Sequence, residues 1–137
     1  MIKTICYISN FSDNLTKSVI DDLIEDVNIS NNNNDITGLL IVRNKHFFQI
    51  LEGENDKINN LYDKIKQDLR HKNLFKLLDA RIEDRIFKDY NSGKFDIFQR
   101  YQDLKKLHLY FNWIKNANYL PAEELIHLTT NFLKHNK

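Results

Sequence analysis

Apolar and polar residues alternate along this chain at two periods, and the switches between them lay out the secondary structure. Ile2 to Ser9 runs at period two. Ile5, Tyr7 and Ser9 share one face and Cys6 and Ile8 the other, which predicts a first strand. Asn10 to Asn14 has turn and capping chemistry. Leu15, Val19, Leu23 and Val27 then recur at i+4 steps with Ile20 and Ile24 alongside, an amphipathic helix expected to end in the polar run Asn28 to Asn34. Ile36 to Arg43 predicts a second strand, Asn44-Lys45 a hairpin turn, and His46 to Leu51 a third strand. Glu52 to Asp56 punctuates and caps a second helix marked by Ile58, Leu61, Ile65 and Leu69. Asp79 to Phe87 reads as a fourth strand.

Strand, helix, strand, strand, helix, strand is the order of an α+β, ferredoxin-like βαββαβ sheet with two helices on one face. That plan is expected to set the first and third strands side by side, and parallel, at the sheet centre. Tyr7 and Gln49 then fall on adjacent strands. Gln49 shares a strand face with Phe47 and Leu51, so its amide is expected to be buried. A buried amide without partners costs about 1–3 kcal/mol, so something must hydrogen-bond it. After Phe95 the pattern becomes helical again. Leu104, Leu107, Tyr110 or Phe111, and Ile114 mark one helix; Pro121 suits the first turn of another, with Leu125, Leu128, Phe132 and Leu133 as its stripe. This divides the chain into a unit at 1–97 and a C-terminal helical extension at 98–137, expected to pack on the bare sheet face or on a partner.

Composition narrows the function. A net charge of +1 supplies no long-range attraction for nucleic acid or an anionic membrane. No apolar stretch approaches the roughly 20 residues that span a bilayer, and the N-terminal residues lack a signal peptide's apolar region. The single cysteine, Cys6, excludes an internal disulfide and fits a reducing compartment. A cytoplasmic protein is the expectation. With 137 residues, no appended catalytic domain is expected.

Enzyme and metal motifs are lacking. The three glycines are far apart, and the five histidines have no zinc-ligand spacing. The second predicted helix is more informative. Lys64, Asp68 and His71 follow i, i+4, i+7, with Ile65 and Arg70 beside them. They suit either a wall for a ligand with a polar tail or an exposed face holding a Lys64–Asp68 pair. The Asn31 to Asn34 run suits either a plain polar loop or an amide facing a heterocycle whose edge alternates carbonyl and N–H.

Taken together, these residues resemble the BLUF family of flavin-binding blue-light sensors. The matching pieces are Cys6-Tyr7-Ile8-Ser9, Asn31 through Asp35-Ile36-Thr37-Gly38-Leu39-Leu40, Phe47-Phe48-Gln49-Ile50-Leu51-Glu52-Gly53-Glu54, Asp68-Leu69-Arg70-His71 and Arg85-Ile86-Phe87. The likeness runs from about Ile2 to Phe95. It implies a blue-light photoreceptor, not an enzyme, that binds FAD, or alternatively FMN. By that analogy Gln49 bonds both Tyr7 and the flavin edge, and Asn31 binds the ring's carbonyl side. Leu23 and Ser30 flank the ring from the first helix, Ile65 and His71 from the second. Lys64 or Arg70 meets the phosphate, and Asp68 serves the ribityl chain or holds a basic neighbour. Excitation then drives electron and proton transfer from Tyr7 and a rearrangement of Gln49. Output passes to a protein partner or through self-association as a homo-oligomer, with no nucleic acid or membrane involved.

Two positions depart from the family pattern. Tyr90 stands where the family usually has Trp, and Ser92 where it has Met; Trp113 lies in the tail and does not take the Trp role. Tyr90 is therefore considered as an added electron donor. A ferredoxin-like binding module that has lost flavin is the alternative. An acylphosphatase-type hydrolase ranks last, because Asn10 to Asn14 supplies no arginine after the first strand.

Overall fold

The computed structural model describes residues 1–137, with the side chains of all but Tyr101 and Ala117. Its elements are β1 (Ile2–Phe11), α1 (Lys17–Asn33), β2 (Thr37–Arg43), β3 (His46–Glu54), α2 (Asn55–Gln67), β4 (His71–Ile82), β5 (Asp96–Phe98), α3 (Lys105–Ile114) and α4 (Leu120–His135). The sheet order is β4-β1-β3-β2-β5, a ferredoxin-like sheet with a fifth strand added at the β2 edge. β5 pairs parallel to β2 and was not foreseen, because three residues are too few to show a period.

Local chemistry sets the element ends. Thr16 caps α1, accepting from the Val19 N–H at 3.3 Å. The Glu54 carboxylate caps α2 through the N–H groups of Asp56 and Lys57, at 3.2 and 3.1 Å. Those bonds hold Glu54 below the usual carboxylate range. Asn44 and Lys45 both have positive φ, 50° and 60°, as a two-residue hairpin loop requires.

Three sequence expectations need correction. β1 pairs with β3 antiparallel, with Tyr7 directly opposite Gln49. Each crossover helix returns the chain in the same direction, and the β2–β3 hairpin reverses it, so β1 and β3 must oppose. Second, α1 ends at Asn33, inside the expected Asn28–Asn34 run, but Ser30 to Asn33 are helical and not a polar loop. Third, α2 ends at Gln67, and β4 begins at His71 and ends at Ile82, so the Asp79–Phe87 strand is misplaced. Asp68 is extended, with its carboxylate accepting the Arg70 N–H at 2.9 Å, an Asx-type turn that stops the helix. Leu69, counted as part of the apolar stripe, is 90% exposed. The strand was masked because β4 is a sheet edge with two register shifts against β1 and a positive φ at Asn73, so no period persists.

The two sheet faces carry separate cores. Ile5, Tyr7, Leu40, Phe47 and Leu51 pack under α1 and α2 with Leu23, Ile58 and Tyr62. Cys6, Leu39, Ile41, Phe48 and Ile50 pack under the tail with Leu107, Phe111, Leu125, Phe132 and Leu133. The extension thus folds back onto the sheet. Burial against this core pushes the Cys6 thiol well above its ordinary value, so it is an inert core residue. Among the described residues no helix is long and apolar enough to cross a membrane.

Candidate functional site

Between α1, α2 and the sheet lies a cavity of about 180 Å³. β1 and β3 supply its floor through Tyr7 and Gln49, which point to the same side because they stand directly opposite each other in the antiparallel ladder. α1 contributes Leu23, Ser30 and Asn31, one helical face across two turns. α2 contributes Lys64 and Ile65. Asp68, Arg70 and His71 also line it, but from the α2–β4 turn and the start of β4, not from a helix face. Sequence reasoning missed Asp26, Val27, Leu40, Phe47 and Leu61 on the same walls. The apolar ones share the period of their elements, so the signal was there without a reason to separate lining from core.

Gln49 is 2% exposed and donates from Nε2 to the Tyr7 hydroxyl at 2.5 Å. Its Oε1 is buried and has no partner among the described residues. Burial pushes the Tyr7 phenol well up, against the opposing pull of the Gln49 bond, so Tyr7 stays protonated at neutral pH. Asn31 is also 2% exposed. Its amide has no protein partner among the described residues, whereas neighbouring Asn32 is engaged by the Phe95 N–H at 2.9 Å.

The cavity mouth separates the two cations. Arg70 grips Asp68 through Nε and Nη2, at 3.0 and 2.7 Å, and reaches Asp26 of α1 at 3.1 Å. Its bonds hold the Asp68 carboxyl below the usual range. Lys64 has no ion-pair partner among the described residues, leaving its charge available to a ligand. His71 ties three elements together. Its Nε2 lies 2.6 Å from the Ile65 carbonyl, which can only accept, so Nε2 carries the proton. In the neutral ring Nδ1 then accepts from the Ser9 hydroxyl at 2.8 Å.

Tyr90 is not part of this site. It is buried on the opposite sheet face, 5.1 Å from the Tyr110 ring, and its hydroxyl donates to Asp96 at 3.1 Å. Its place near the chain's Arg85-Ile86-Phe87 piece belongs to the loop after β4, which runs beneath the tail helices.

Residues 2–93 match the family described as BLUF, sensors of blue light using FAD, and the chain belongs to that family. It is 33% identical over 97 residues to the blue light- and temperature-regulated antirepressor BluF of Escherichia coli (strain K12), covering 71% of this chain and 24% of that protein. The chain therefore spans about a quarter of that relative's length. The BlsA ground-state structure superposes with a TM-score of 0.62 and 28% identity, over 80% of this chain and 72% of that one. Klebsiella pneumoniae BlrP1, solved with FMN and cyclic diGMP, gives 0.62 and 27%, over 72% of this chain and 26% of that one. Flavin binding is the family property, and the residues present fit it. Two primary amides, one with an orphaned buried oxygen, face an otherwise largely apolar slot. That donor and acceptor set suits a heterocycle with alternating carbonyl and N–H groups.

Proposed function

We propose that this chain is a flavin photoreceptor whose switch is the Gln49 amide, and that FAD is its chromophore. The orphaned Gln49 Oε1 carries the reading, because a buried acceptor with no donor costs about 1–3 kcal/mol unless a ligand supplies one. Asn31 would hold the ring's carbonyl edge, Leu23, Ser30, Ile65 and His71 its faces, and Lys64 the phosphate. Arg70, bound to two carboxylates, orients the mouth, with Asp68 as its anchor. FMN lacks the second phosphate and the adenosine, so it would use the same ring contacts.

Bound flavin supplies absorption of blue light and, when excited, a strong one-electron oxidant. Tyr7 would give the electron and, through its hydroxyl, the proton, and both would return to it, so that no net oxidation remains. Its neutral phenol keeps both to give. Gln49 then turns or changes tautomer, exchanging which amide end meets Tyr7. No substrate is consumed, so the chain is not an enzyme. The signal passes through residues 1–97 to the 98–137 extension and then to a protein partner or a second copy. A single buried thiol suits a cytoplasmic setting.

The test is spectroscopic. Purified protein is expected to be yellow, with a flavin band that moves reversibly to the red in blue light. Gln49→Leu is expected to keep flavin and lose that movement. A normal shift in the variant would overturn the role of Gln49, and a colourless protein that refuses added FAD and FMN would overturn the photoreceptor reading.

A further inference from the structure

Glu52 is fully buried on β3, on the sheet face opposite Gln49. Its carboxylate accepts from the Thr37 hydroxyl at 2.7 Å and from the N–H groups of Ile86 and Phe87 at 2.9 and 2.7 Å. The Ile86 carbonyl in turn accepts from the Tyr110 hydroxyl on α3. A continuous hydrogen-bonded path therefore leads from the photoactive strand to the tail. Burial works against the Glu52 charge, and these donors, with the nearby Arg85 charge, work for it.

On the neighbouring strands Glu52 has two threonines, Thr37 on β2 and Thr4 on β1, each directly opposite it. Thr37 is engaged. Thr4 is fully buried and its hydroxyl has no partner among the described residues. Thr4 and Glu52 face each other on the same strand pair that sets Tyr7 opposite Gln49. The two pairs are three residues apart, about 10 Å along the strands. A shift of β3 along β1 that accompanies a turn of the Gln49 amide must change both.

We propose that Glu52 is a positioning residue that carries the state of the Tyr7–Gln49 pair to α3, by exchanging Thr37 for Thr4 and loosening its hold on Ile86 and Phe87. This rests on the photoreceptor reading above. Two discrete donor sets give Glu52 the two arrangements that any such coupling needs. The receiving end is Tyr110, whose ring lies 5.8 Å from that of Trp113, the sole tryptophan, 65% exposed on α3.

That tryptophan makes the test direct. Full-length, flavin-loaded protein carrying 5-fluorotryptophan gives one ¹⁹F resonance, recorded in the dark and under blue light with the visible spectrum of the same sample. The resonance is expected to move in light and return in the dark. Thr4→Val, which keeps the side chain's shape, and Tyr110→Phe are expected to keep the flavin spectral shift and lose the movement of the resonance. A purely structural Glu52 would be indifferent to Thr4→Val. Full movement in Thr4→Val, or a stationary resonance in the wild type beside a normal spectral shift, would overturn the relay. Absence of the spectral shift from the wild type would instead overturn the photoreceptor reading, and the relay with it.

Discussion

The 2.5 Å contact between Gln49 and Tyr7 uses one end of the amide and leaves the other without a partner among the described residues, so substitutions at the two positions test separate parts of the proposed switch. Tyr7→Phe removes the phenol proposed as donor and its bond to the Gln49 amide. Flavin is expected to stay bound, through Asn31 and the apolar walls, while the light-induced shift in the visible spectrum disappears. Tyr90→Phe is the contrasting case. It removes only the bond to Asp96 on the far side of the sheet. Flash kinetics and the size of the spectral shift are expected to match the wild type; a slowed or reduced response would show that Tyr90 takes part. Tyr7 and Gln49 were legible in the sequence as residues of adjacent strands, and the antiparallel register then sets them on one face. Asp68, Arg70 and His71 were legible as residues but not as geometry. A turn closed by Asp68 on Arg70 looks, in sequence, like one more helical repeat.

At the scale of elements, backbone contacts decide what pattern cannot. Gly38 in β2 has φ of 127°, and a Cβ there would lie 2.0 Å from the Ile50 carbonyl oxygen. Gly38→Ala would force β2 away from β3, the strand that carries Gln49 and Glu52. Backbone strain alone is on the order of 1–3 kcal/mol, and the collision adds to it. Chemical denaturation is expected to show a large loss of stability, and flavin retention is expected to fall with it. The helix ends tell the same story from the other side. Asparagine is a weak helix former, so the Asn31–Asn34 run read as a terminus. α1 does end inside it, at Asn33, but its last turn stays helical with Asn31 on the buried face beside Leu23.

For the whole molecule, the tail decides whether one sheet face meets water. Phe132 stacks on Phe48 with ring centroids 4.9 Å apart, both buried. Phe132→Ala is expected to cost about 3–5 kcal/mol in denaturant unfolding, while the flavin cavity on the other face keeps its lining. A second global effect is electrostatic. Arg70 links Asp26 of α1 to Asp68 before β4 and lowers the Asp68 pKa below its ordinary value near 3.8. The stability this contributes is present above that ordinary value and is lost as pH falls through the lower folded value. Thermal unfolding followed from pH 5 downward is expected to show Asp68→Asn with a shallower acid loss than the wild type. Equal slopes would show that the pair contributes nothing to the acid transition.

Sequence by itself determined the order of the main elements, the two-faced sheet and the placing of Tyr7 and Gln49 on adjacent strands. These follow from periods of 2 and 3.6, which are local properties of the chain. Tertiary structure decided strand direction, the extent of β4, the added β5 and the covering of the second face by α3 and α4. It also decided which polar groups find partners among the described residues: Arg70 taken by two carboxylates, Lys64 in no ion pair, Gln49 Oε1 and the Thr4 hydroxyl left bare. Pairing is a relation between residues far apart in the chain, and no local period encodes it.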